Sequence, residues 1–153
     1  MKKNIKHILP ILAVIMCLVS GSVMAQTGFG IRAGVTADPT QFHFGGHFIS
    51  DSIVDKLIFR PNLEIGVGSH AATIAANFEF AYPFQIQNRD FSVYVGGGPA
   101  LVVTRLDEDR GTDTGGGFNM LIGLEHKDGL FGEMKVGAFD SPGFKFTIGY
   151  TFR

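Results

Sequence analysis

Near the end of the chain, large apolar side chains occupy every second position: Phe144, Phe146, Ile148, Tyr150 and Phe152, with Lys145, Thr147, Gly149 and Thr151 between them. A helix would scatter these five around its girth. An extended strand sorts them onto one face, because successive side chains point to opposite sides. The same period runs through residues 29–35, 42–48, 59–67, 74–82, 91–95, 118–124 and 130–138. Helical periodicity is weak, because glycine interrupts nearly every window. Eight strands with two unlike faces are therefore expected.

The segments between them carry turn chemistry. Asp38-Pro39-Thr40 separates the first two strands, and Asp140-Ser141-Pro142-Gly143 precedes the last. Lys127-Asp128-Gly129 predicts a tight hairpin, since Asp-Gly favours positive backbone angles. Residues 106–117 form the longest polar stretch and read as a loop. No shift in composition divides the chain. An all-β, antiparallel up-and-down meander of eight strands, closed into a barrel, is the expected architecture.

Residues 1–25 have the pattern of a cleaved signal peptide. Lys2, Lys3, Lys6 and His7 make a basic start, an apolar run from Ile8 to Val19 follows, and Val23-Met24-Ala25 supplies a small residue for cleavage. The apolar run is short for a membrane-spanning helix. Residues 26–153 are then the barrel domain. The only cysteine, Cys17, lies in the signal, so the barrel is expected to hold neither a disulfide nor a zinc–thiolate site. The whole chain carries 13 Lys+Arg against 14 Asp+Glu, and three of those lysines leave with the signal. An acidic balance argues against general nucleic-acid binding.

Alternation alone does not say which face is the inside. A soluble barrel buries its apolar face, whereas a membrane barrel turns that face to lipid and keeps the polar face within. Size favours the second arrangement, since eight strands enclose a space only just wide enough to be filled by side chains. The apolar face is crowded with rings, among them Phe59, Phe78, Phe80, Phe118, Phe144, Phe146, Tyr150 and Phe152, with Ile148 beside them. These nine are expected to face lipid. The other face is mostly small and polar, with Arg32, Arg60, Lys135 and Lys145 matched by Glu64, Glu79, Glu125 and Glu133. Four positive and four negative groups can pair across a narrow lumen. A transmembrane strand needs about 9–11 residues, and eight of them fit the domain with short connections.

These features resemble the small outer-membrane β-barrel proteins of Gram-negative bacteria, the OmpA/OmpX-like group of the porin superfamily. The resemblance rests on the signal ending at Ala25, on Phe59-Arg60-Pro61-Asn62-Leu63-Glu64-Ile65-Gly66-Val67-Gly68, on Tyr94-Val95-Gly96-Gly97-Gly98-Pro99-Ala100-Leu101, and on the closing strand from Gly143 to Phe152. It departs from the family at one place, where Arg153 follows the final aromatic. The resemblance implies a monomer in the cell outer membrane, surrounded by outer-membrane lipid and delivered by the barrel-assembly machinery. Both termini would face the periplasm, and the loop at residues 106–117 would be the long extracellular one.

No enzyme is expected. An acyl-chain hydrolase of this kind needs serine, histidine and carboxylate within hydrogen-bond reach. Ser69-His70 are neighbours in sequence and would fall on opposite faces of a strand. His43 and His47 share a face, but on a strand they lie roughly 13 Å apart, so they cannot chelate one ion alone. The Gly96-Gly97-Gly98 and Gly115-Gly116-Gly117 runs lack the strand–loop–helix setting and the closing Lys of a phosphate cradle. No catalytic residue, metal or cofactor is expected. The main expectation is a structural or surface-interaction protein whose lumen is largely plugged by paired charges. Its rivals are a soluble periplasmic barrel holding an apolar ligand against Phe78 and Phe146, and a lipid-modifying enzyme.

Overall fold

The computed structural model describes residues 27–69, 71–86, 90–106 and 111–153. The signal segment, His70 and residues 107–110 of the expected loop lie outside them. Nine strands follow in order: β1 (Gly28–Ala37), β2 (Gln41–Ile49), β3 (Ser52–Val54), β4 (Leu57–Val67), β5 (Ala71–Gln85), β6 (Phe91–Leu106), β7 (Thr112–His126), β8 (Leu130–Phe139) and β9 (Phe144–Phe152). All pairings are antiparallel between sequence neighbours, save two that close the ring. β1 pairs with β9, Phe29 opposite Phe152, and β2 pairs with β4, Phe44 opposite Ile65. Eight strands thus make a closed up-and-down barrel, as the alternation predicts. β3 lies outside that count, a short continuation of β2 along the start of β4.

The start of β1 and the end of β9, the barrel's two termini, lie at one mouth, together with the end of β5, the start of β6 and the β7–β8 connection. The latter is the tight hairpin expected at Asp128-Gly129. Gly129 has φ +101°, a left-handed value that glycine adopts without strain, and its N–H donates to the His126 carbonyl at 2.8 Å.

The long loop expected at residues 106–117 is largely absent. β6 continues to Leu106 and β7 begins at Thr112, with Arg105 opposite Thr112 and Val102 opposite Gly115. The reason is local. Residues 112–117 include three glycines and two threonines, and carry no apolar alternation to mark a strand. Their inward positions need to be small rather than large, as described below. The connection expected to be the long one therefore spans only residues 107–111. The connection at residues 50–56 is a small hairpin, with Asp55 at φ +50°.

The interior is not an apolar core. Among the described residues, buried hydrophobic side chains are few and mostly small, Ile49, Tyr94, Leu121 and Phe131 being the large ones. The largest fully buried side chains are instead dominated by Lys135, His43, Glu64, Glu79, Glu133, Asn77 and Asn119. Large apolar residues line the outside: Ile31, Val35, Phe42, Leu63, Ile74, Leu101, Met120 and Ile148 are each half exposed or more.

Candidate functional site

The barrel interior is the candidate site, and strand parity builds it. On β4, Arg60, Asn62 and Glu64 point inward because Phe59, Pro61, Leu63 and Ile65 point out. On β8, Phe131, Glu133 and Lys135 share the inward parity. On β9 it is Lys145, Thr147 and Thr151. Ladder pairing then stacks these rows side by side around the lumen.

All eight charged residues singled out in the sequence are buried inside. Lys135 is the hub. Its ammonium donates to both oxygens of Glu79, at 2.8 and 2.9 Å, and stands 3.4 Å from Glu133 and 3.5 Å from Glu64. Lys145 donates to Glu64 Oε2 at 2.6 Å. Arg32 donates to Glu133 through Nη2, and its Nε lies 3.5 Å from Glu64 Oε1. Arg60 and Glu125 pair separately, nearer the mouth that carries the termini, at 2.9 Å.

Amides and rings complete the assembly. Asn62 donates to Glu79 at 2.7 Å, Asn77 to Asn62 at 2.7 Å, and Asn119 to Asn77 at 2.8 Å. Tyr94 donates its phenolic hydrogen to Glu133 at 2.9 Å. Arg60 sits 4.2 Å from the Tyr94 ring centroid, and both Arg32 and Arg60 stand 5.5 Å from that of Phe131. Cation–π contacts of this kind strengthen when water is excluded. Glycines make the room: a methyl on Gly123 would lie 2.6 Å from Tyr94 Cε2, and one on Gly149 would lie 2.5 Å from Phe131 Cζ.

The two lumenal histidines are held by hydroxyls. His43 is hydrogen-bonded to Thr36 and to Thr147, each at 3.0 Å, and His47 to Thr151 at 3.0 Å. His47 also meets the edge of Phe131, their centroids 5.0 Å apart.

The nine residues read as lipid-facing share the outward parity. Phe80, Phe118, Phe144, Phe146, Ile148, Tyr150 and Phe152 are exposed, Ile148 at 56%. Phe59 and Phe78 are half-buried, and the Phe59 and Phe80 rings stack across β4 and β5 at 5.0 Å. A soluble barrel with Phe78 and Phe146 lining its lumen is the reverse of this arrangement.

Sequence reasoning placed the charges but missed the groups that bind them together: Tyr94, Phe131, the three asparagines and Arg153. Each has the inward parity of its strand, so the signal was present. Arg153 is the least expected. It reaches from the end of β9 to Glu125 Oε1, while Arg60 holds the other oxygen.

At the mouth carrying the termini, the lumen opens into a cavity of 1230 Å³, whose lining includes Glu125, Arg153, Ser92, Asp90 and Lys127. The exposed Lys127 ammonium is 3.0 Å from Asp90. That hydrogen bond and the nearby charge raise its pKa above the ordinary 10.5.

Comparison with known proteins finds the same fold. The chain is similar to the N-terminal β-barrel domain of Pseudomonas aeruginosa OprF, with TM-score 0.64 and 12% identity, over 82% of this chain and 96% of that one. It is also similar to Neisserial surface protein A, NspA, with TM-score 0.54 and 10% identity, over 82% and 91% of the two chains. At such identities the likeness is one of fold. No protein-family model matches the chain, and no curated protein matches it in sequence.

Proposed function

We propose that this protein is a small integral outer-membrane β-barrel with a structural or surface-interaction role, its lumen plugged by paired charges. One observation carries the reading: the barrel is inside-out. Phe29, Ile31, Met120, Leu130 and Ile148 are each about 60% exposed, while Glu64, Glu79 and Lys135 are 1% exposed. Monomeric soluble proteins rarely expose contiguous apolar patches beyond a few hundred Å². Here an apolar band runs around the whole barrel. Lipid is the solvent that such a band fits, and a closed barrel is one of the two ways a backbone can cross it. The fold shared with OprF and NspA supports the same reading.

The interior supports the plug. Four cationic and four anionic side chains and three asparagines cross the lumen at hydrogen-bond spacing, leaving little room for a stream of hydrated ions. Such a barrel stiffens the envelope or presents a surface rather than carrying bulk solute. It works as a monomer, without metal or cofactor, and reaches the outer membrane through a cleaved signal and the assembly machinery. An apolar ligand inside has no support in this geometry, because the walls that would receive it are charged.

The test is gel mobility of the full-length product in an isolated outer-membrane fraction, unboiled against boiled in SDS. A membrane band that changes mobility on boiling is expected. A soluble periplasmic band with no shift would overturn the membrane reading. Large, steady single-channel currents from purified barrel would overturn the plug.

A further inference from the structure

The turn between β8 and β9 does not project from the barrel. It folds inward. Ser141 and Pro142 are buried, and Pro142 forms part of the roof of a small polar cavity of 10 Å³, whose lining includes Thr36, Gln41, His43, Glu64 and Lys145. That is room for about one water.

The seat for this turn is made of glycine. A methyl on Gly117 would overlap the Ser141 hydroxyl and come within 2.5 Å of its backbone nitrogen. One on Gly137 would be 2.7 Å from Ser141 Cβ, and one on Gly115 would be 2.7 Å from Asp140 Cβ. Three inward positions on β7 and β8 are thus kept empty, and the turn fills them. This accounts for the glycines that hid the start of β7 from the sequence pattern.

The seat fits, but the turn is weakly held. Its backbone hydrogen bonds are long: Gly137 to Gly143 at 3.2 Å, Ser141 to Ala138 at 3.3 Å, and Gly143 to Asp38 at 3.4 Å. The usual N–H···O distance is about 2.9–3.0 Å. The Ser141 hydroxyl is buried with no hydrogen-bond partner, which is costly for a polar group. Where the chain turns inward, Phe139 takes a left-handed φ of +61° and is 88% exposed. A bulky residue in that region is strained, and such strain concentrates at segments that move. The strand walls around it carry continuous ladders.

We propose that residues 139–143 form a hinged lid on the mouth opposite the termini. Closed, it seats in the Gly115–Gly117–Gly137 recess and partly covers the cavity above Glu64 and Lys145. Open, it lets small hydrophilic molecules reach that cavity. The lid depends on the closed barrel alone, and it stands whether or not the barrel lies in lipid.

Thiol labelling tests it, because the barrel strands contain no cysteine. Three single variants, Phe139→Cys, Ser141→Cys and Thr147→Cys, are purified in detergent and exposed to a small neutral maleimide, with the parent chain as blank. Only the folded, unboiled band is scored. Phe139→Cys should react fastest. Ser141→Cys should react at least tenfold more slowly yet go to completion, while Thr147→Cys, which sits in the wall, stays unlabelled. If Ser141→Cys resists as completely as Thr147→Cys, the turn is a fixed plug. If it reacts as fast as Phe139→Cys, the turn is not seated. Either result overturns the lid. A second measurement uses a wedge. In a Gly117→Val background the turn cannot seat, so Thr36→Cys beneath it should label at least tenfold faster. An unchanged rate on a folded band would also overturn the proposal. If the wedge does not fold, the Ser141→Cys comparison decides alone.

Discussion

Two acid–base clusters occupy the same lumen and behave differently. In the middle, Lys135, Arg32 and Lys145 share Glu64, Glu79 and Glu133, and every one of these side chains is almost fully enclosed. At the mouth carrying the termini, Glu125 is clamped between Arg60 and Arg153, beside a cavity that opens outward, and the Arg153 side chain is 39% exposed. The ingredients are alike, guanidinium or ammonium against carboxylate. The surroundings are not. A charge that has lost its water depends wholly on its partners, and losing one leaves the rest uncompensated. A charge that keeps access to water has an alternative, and its pair is worth little. The middle of the barrel is therefore expected to govern stability, and the part-exposed Arg153 at the mouth to tolerate change.

The largest expected effect comes from breaking the hub. Lys135→Met leaves Glu79, Glu133 and Glu64 facing one another, and removing one member of a buried cluster costs about 3–5 kcal/mol. Urea unfolding of the barrel in vesicles, followed by gel mobility, measures it. Adding Glu79→Gln should return more than half of the loss, because the main orphaned carboxylate is then neutral. No recovery would mean that Lys135 acts through packing rather than charge.

The next variant sharpens the contrast between the two faces. Phe146→Arg puts a charge on the outward band, at a cost of about 2–4 kcal/mol if that position lies near the bilayer midplane. The same unfolding series measures it. Stability equal to the parent in vesicles would place Phe146 in water. Smaller still is Arg153→Ala. The pair with Glu125 is partly solvated and Arg60 remains in place, so about 0–1 kcal/mol is expected. A loss as large as that of Lys135→Met would erase the distinction between the clusters.

The smallest effect belongs to the turn outside the barrel. Asp90→Asn removes the largest cause of the raised Lys127 pKa, so this lysine should titrate closer to 10.5. The pair contributes fully at neutral pH, where Lys127 is charged in both states. It fades only as the pH rises through the folded-state pKa. At such an exposed site the melting profile should stay flat across neutral pH, while a titration followed by NMR of the Lys127 side chain shows the shift.

The chain's alternation alone counts the barrel strands and sorts its charges onto one face. Arg60 and Glu64 have the same parity on β4, as do Glu133 and Lys135 on β8, and that parity survives any error in strand ends. Strand ends themselves were poorly legible. Residues 112–117 read as a loop because glycine and threonine carry no apolar rhythm, although they continue β7 for two turns of the pleat and more.

Parity is a local property of an extended backbone, so the sequence by itself determined which side chains share a face. Which charge meets which depends on the stagger of strands far apart in the chain. Only the closed ring brings Lys145 to Glu64, 81 positions away, and Arg32 to Glu133, 101 positions away. The inward fold of Ser141 and Pro142 belongs to the same class. It exists because glycines on two neighbouring strands leave a hollow that only the assembled wall contains.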